Sequence, residues 1–154
     1  MLNMNPFEIL VRERGLNVLT VRVLQKGALT GTLDLAKDIR RLQHSVSKSF
    51  TCMAAGLAIE EGKLALNTRL KDVFPEYAWP HPHTPHSLQP GELTLLNLLR
   101  MSSGHDSPPF WAEERAAMKD KDWVAHYLSL PLDRTPGGHF TYSSGDTFMI
   151  SAMI

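Results

Sequence analysis

Between Ser45 and Gly62 the chain carries few polar side chains, and this segment limits the possible folds more than any other. From Val46 the apolar positions Phe50, Met53, Ala54, Leu57 and Ala58 recur at helical spacing. A second stripe, Cys52, Ala55, Gly56 and Ile59, covers much of the remaining circumference. A helix apolar on most sides is expected to be buried on most sides. Gly62 is placed to close it, as a glycine after the last periodic residue does.

Ser45 and Lys48 lie three apart on one face of this helix, and Cys52 continues the same line. A buried ammonium gives up its proton more readily than a solvated one, and a neutral lysine is a usable base. A serine beside such a base has the makings of a nucleophile. The same four residues also describe an N-cap serine followed by a lysine that snorkels to water. Ser-x-x-Lys is too short to choose between these, so the rest of the chain has to.

At 154 residues the chain is long enough for one domain with its own core. Its 16 basic and 16 acidic side chains cancel without long runs of either sign, which gives no electrostatic footprint for nucleic acid or a membrane surface. One cysteine rules out an internal disulfide and a cysteine-based zinc site. Cys52, inside the apolar helix, is expected to be a small buried hydrophobe. Residues 1–15 hold Glu8, Arg12, Glu13 and Arg14 and no continuous apolar segment, so neither a signal peptide nor a membrane span is read there and a cytoplasmic location is expected.

Pro6 to Arg14 reads as a short helix ended by Gly15. Val18 to Leu24 and Ala28 to Leu35, joined by Lys26-Gly27, read as an antiparallel hairpin. Ala36 to Gln43 is a polar, basic loop, and Asn67 to Phe74 a short amphipathic turn stopped by Pro75. Thr94 is placed to cap a helix over Leu95 to Met101. Trp111 to Leu130 is helical with a break near Asp120, its tryptophans Trp111 and Trp123 packing the helix, and Thr147 opens a last apolar helix. Two strands followed mostly by helices make the expected class α+β. Two strands alone are too few for an independently stable sheet, and the apolar run from Phe148 to Ile154 has no polar finish. Together these are expected of a chain cut short.

Two further clusters bear on chemistry. His81, His83 and His86 stand among prolines with no acidic residue or cysteine inside the cluster, which reads as an exposed loop, or the rim of a cleft, and not as a metal site. His105 and Asp106 follow Ser102 and Ser103. Neighbours in one turn seldom converge as a Ser/His/Asp triad, and no Gly-x-Ser-x-Gly elbow is present, so this is read as a helix-terminating turn.

Three blocks occur in order: His44-Ser45-Val46-Ser47-Lys48 with its helix, Leu93 to His105 around Met101-Ser102-Ser103-Gly104, and Pro136-Gly137-Gly138-His139-Phe140-Thr141-Tyr142-Ser143-Ser144-Gly145. In this combination the chain resembles the N-terminal half of the serine β-lactamase-like superfamily, which spans class C β-lactamases, penicillin-binding DD-peptidases and related esterases. The resemblance runs from about Val18 to Ile154, and the Ser-x-x-Lys element is a known signature of the group. It implies one β-lactamase-like domain over residues 1–154, incomplete, with the hairpin at 16–36 and the nucleophile helix and helical region at 44–154.

By that resemblance Ser45 is the acyl-accepting nucleophile, Lys48 the lysine that helps remove its proton, and Tyr142 the second proton-transfer group. The Ser45 N–H, at a helix start, would serve an oxyanion. By position alone Tyr142 is equally a turn aromatic on a core edge. The third position of the family's Tyr-x-Asn element is Ser144, a substrate-binding hydroxyl with fewer donors than asparagine, which fits esters better than β-lactams. No metal or organic cofactor is implied. The family's later Lys-Thr-Gly or His-x-Gly strand has no counterpart here, and one lost oxyanion donor costs roughly 3–4 kcal/mol.

The expected function is therefore a serine hydrolase of an ester or amide, β-lactams and peptides included, impaired in this short chain. Non-catalytic use of the same fold for binding is the alternative. So is a fragment that pairs through its apolar end with a second copy or a separate C-terminal half.

Overall fold

The computed structural model describes residues 1–77, 89–118 and 122–154, and the chain divides into two units at Leu42. In the first, helix α1 (Asn5–Glu13) precedes strands β1 (Thr20–Gln25) and β2 (Ala28–Asp34), which pair antiparallel from Thr20↔Asp34 to Gln25↔Ala28. Lys26 (φ +50°) and Gly27 (φ +78°) form the link. Two successive residues at positive φ twist the chain in the sense that a right-twisted two-stranded ribbon needs. A bulge between Val23 and Leu24 shifts the register. Val11 and Leu33 are the buried apolar side chains of this unit.

The second unit begins with a single 3-10 turn, His44–Val46, that leads into α2 (Ser47–Glu60). Gly62, at φ +71°, ends α2 as expected: its N–H donates to Ile59 O and the Lys63 N–H to Ala58 O. Helices α3 (Leu70–Val73), α4 (Leu95–Leu99), α5 (Ala112–Ala117), α6 (Trp123–Ser129) and α7 (Ser144–Met153) follow. Thr94 caps α4 through the Asn97 N–H, while Asn97 Oδ1 accepts from Thr94. One core joins Leu95 and Leu98 of α4, Tyr127 of α6, and Met149, Ile150 and Met153 of α7. Leu98 and Met149 are wholly buried, each worth roughly 2–3 kcal/mol in apolar transfer. The class is α+β, an N-terminal hairpin followed by helices.

Several expectations need correction. Helix α2 is not buried on most sides, because Phe50, Met53 and Leu57 are exposed while only Ala55 and Ala58 are buried. Two alanines let α2 approach α7 closely, so the small residues and not the large ones define the packed face. Cys52 is exposed and not a core hydrophobe. Trp111 is likewise exposed, whereas Trp123 packs on Phe110 and Phe148. Helix α7 begins three residues before Thr147, since the Ser143 hydroxyl accepts from the Asp146 N–H and starts the helix there. Between α5 and α6 the expected break at Asp120 lies outside the described residues, as do His81, His83 and His86.

The turn after α4 is tied to a later segment: Asp133 and Arg134 donate to Gly104 O, and Gly137 donates to Ser102 O. Gly104 sits at φ +100°, and a Cβ there would lie 2.3 Å from the Arg134 carbonyl oxygen. Backbone cannot retreat as a side-chain tip can. Gly104→Ala should cost about 3 kcal/mol, a fall of roughly ten degrees in thermal midpoint by circular dichroism. A midpoint unchanged within two degrees would show that the Arg134 segment yields.

Candidate active site

Ser45 stands in the 3-10 turn and not inside α2 itself. The residue before it, His44, takes φ +46°, a left-handed conformation that costs an L-residue about 1–2 kcal/mol. The Ser47 hydroxyl donates to His44 O at 2.7 Å and closes the turn. Lys48 follows in the first turn of α2, on the face that carries Ala55 and Ala58 toward α7. The lysine therefore meets α7 because the alanines do.

Tyr142 precedes α7, and its hydroxyl donates to Ser45 Oγ at 2.6 Å. Lys48 Nζ donates to Ser144 Oγ at 3.3 Å and lies 5.2 Å from the centre of the Tyr142 ring. The Ser45 contact, with the Lys48 ammonium behind it, holds the Tyr142 phenol below its ordinary range against an opposing desolvation. All four residues singled out in the sequence, Ser45, Lys48, Tyr142 and Ser144, meet in one place. The sequence expectation has Lys48 and Tyr142 both serving Ser45; of the two, Tyr142 makes the hydrogen bond to Ser45 and Lys48 makes its own to Ser144. Here tyrosine holds the serine and lysine bridges tyrosine and Ser144.

A cleft of about 440 Å³ opens beside Ser45, Lys48 and Ser144. Phe110, Trp123 and Phe148 contribute its apolar wall, packed ring on ring at 5.2–5.6 Å between centroids. Arg115 reaches the same cleft, and no carboxylate lines it among the described residues. An exposed hydroxyl beside an apolar wall is suited to hold an acyl group against a nucleophile.

The Ser102, Ser103, His105 and Asp106 turn forms no triad. Asp106 is exposed and paired with Arg134, while His105 is buried with its Nδ1 3.0 Å from Ser103 Oγ. Burial drives the His105 imidazole down to about 4, although Asp133 and Glu114 pull it upward. Beneath the site lies a residue that the sequence reading passed over, Asp146, wholly buried and hydrogen-bonded to Ser103, Tyr127 and Ser143. Ser143-x-x-Asp146 is a helix-start spacing, and that was its one legible signal.

A family model described as Beta-lactamase matches residues 42–150. No curated protein matches the chain at a significant level.

Proposed function

The chain belongs to the β-lactamase family, and on that premise we propose that it is a serine hydrolase that forms an acyl-enzyme on Ser45. The observation that carries the proposal is the 2.6 Å contact between Tyr142 and Ser45, with the Lys48 cation 5.2 Å from the same ring. A phenol ordinarily ionises near pH ~10. Next to an ammonium, part of it is phenolate at lower pH, and a phenolate in hydrogen-bond reach of a serine is a general base.

The cycle balances with these groups alone. Phenolate Tyr142 takes the Ser45 proton as Oγ forms a bond to the acyl carbon. The resulting oxyanion meets the Ser45 N–H, one of the donors that a helical turn leaves unpaired at its start. Collapse breaks the bond to the leaving oxygen or nitrogen, which receives the proton from Tyr142. Water then repeats the sequence on the ester and frees Ser45. Lys48 remains an ammonium throughout and steadies the phenolate, while Ser144 orients Lys48 and contacts the substrate. With a hydroxyl in place of the family's amide at Ser144, esters are the preferred substrates.

Intact-mass spectrometry after exposure to a fluorophosphonate, and separately to a penicillin, tests this. One adduct per chain that disappears in Ser45→Ala is expected with the fluorophosphonate, and slower or incomplete labelling with the penicillin. Equal labelling of wild type and Ser45→Ala, or none in a folded wild type, would remove Ser45 as the nucleophile.

A further inference from the structure

Asp146 is fully buried in the first turn of α7, and no step above uses it. Its Oδ1 accepts three hydroxyl protons, from Ser143 at 2.7 Å, Tyr127 at 3.0 Å and Ser103 at 3.1 Å. The Asp146 N–H returns a bond to Ser143 Oγ at 2.9 Å. With the Ser103 proton given to Asp146, His105 Nδ1 is the donor in its contact with Ser103 Oγ. One carboxylate oxygen thus gathers α6, the turn after α4 and the start of α7. Burying a carboxylate is costly, and an apolar side chain of similar size would often serve stability as well or better. Its value here is geometric.

The geometry it fixes is that of the site. Ser143 stands between Tyr142, which bonds Ser45, and Ser144, which accepts from Lys48. On either side the backbone is tied by Thr141 N–H to Met101 O at 2.9 Å and Gly145 N–H to Pro109 O at 3.1 Å. Gly145 is packed so closely that a Cβ would lie 2.6 Å from Pro109 and 3.1 Å from the Tyr127 ring. Within 141–145 the Ser143 hydroxyl is the side-chain anchor that points inward, and Asp146 is what it grips. We propose that Asp146 is a positioning residue, whose Oδ1 acts through Ser143 to hold Tyr142 and Ser144 in register with Ser45 and Lys48. Its catalytic consequence rests on the Ser45 nucleophile; the placement of Tyr142 does not.

Tyrosine titration followed by ultraviolet absorbance separates the two. The chain has three tyrosines. The Asp122 carboxylate pushes Tyr77 up to about 12, burial pushes Tyr127 well above its ordinary range, and Tyr142 lies below it. The first phenol to ionise is therefore Tyr142, and Tyr142→Phe should erase that step.

In folded Ser143→Ala and Asp146→Leu the step should move toward the ordinary value of ~10, and fluorophosphonate labelling of Ser45 should slow at least tenfold by the order expected of a misplaced group. Asp146→Asn keeps an accepting oxygen and should preserve both. If Asp146→Leu fails to fold, Ser143→Ala carries the test, because it leaves Asp146 its other two donors. A folded Ser143→Ala with the wild-type first step overturns the proposal. So does an Asp146→Asn that behaves as Asp146→Leu, since charge and not the shared acceptor would then matter. A wild type that is not labelled at Ser45 overturns the nucleophile, while the titration still decides whether Asp146 places Tyr142.

Discussion

Tyr142→Phe should slow fluorophosphonate labelling of Ser45 by roughly 10²–10⁴-fold, the range usual for loss of a general base. The ring is 46% exposed, so the substitution removes one hydroxyl from a solvated edge and should leave the thermal midpoint within a degree or two. The pH dependence identifies the group. If the phenolate is the base, the wild-type rate climbs with pH as Tyr142 loses its proton, with a midpoint below the ordinary phenol value. The Ser45 contact and the Lys48 ammonium both act in that direction. Lys48→Met removes the cation and should carry the same limb to higher pH. Rates measured from pH 6 to 10 in wild type and both variants decide the matter. A Tyr142→Phe protein with the wild-type rate and profile would leave Tyr142 a mere hydrogen-bond donor to Ser45.

The second large effect concerns stability. Acidification from pH 6.5 to about 4 should cost the fold roughly 3 kcal/mol through His105 alone. The side chain is 3% exposed, and burial lowers its imidazole from 6.5 to about 4. The unfolded chain therefore takes up a proton that the folded chain refuses. The contribution is whole above pH 6.5, drains as pH falls, and is gone near pH 4. At about 1.4 kcal/mol per tenfold, the interval gives the stated size.

Asp146 works in the opposite sense, because burial raises its carboxyl and the folded state accepts that proton first. Asp72 and Asp106, held low by Arg69 and Arg134, and Asp122, held low by the Ala125 N–H and the Tyr77 hydroxyl, are themselves exposed and lose their small contributions at lower pH still. Denaturant unfolding at pH 7 and pH 5 should show the wild type losing about 2 kcal/mol and His105→Gln much less. Parallel losses would mean that the acid sensitivity lies elsewhere.

The two effects divide in the same way as the legibility of the chain. Local rules sufficed for the hairpin, because Lys26-Gly27 sits between two β-branched runs. They sufficed for the end of α2 at Gly62 and the cap of α4 at Thr94, where one residue's conformation decides the outcome. Ser45, Lys48, Tyr142 and Ser144 were legible as a set because each lies in a short block whose order along the chain survives without coordinates.

What sequence periodicity alone left undetermined was which side of a helix is covered. Phe50, Met53 and Leu57 make the stronger apolar stripe of α2, yet Ala55 and Ala58 face α7, since close helix approach rewards small volume over hydrophobicity. Cys52 and Trp111 were misjudged for the same reason: burial belongs to the neighbour as much as to the residue. Asp146 is the clearest case. Its partners Ser103 and Tyr127 lie 43 and 19 positions away along the chain, so no local spacing foretells them. The sequence by itself determined which side chains are candidates for the site and the turns that present them. Only the tertiary structure decided that tyrosine, and not lysine, holds the serine, and that a buried carboxylate beneath them gathers the segments on which both depend. Reactivity is a property of residue types and survives in one dimension, whereas packing and shared hydrogen bonds exist only between segments that the fold has brought together.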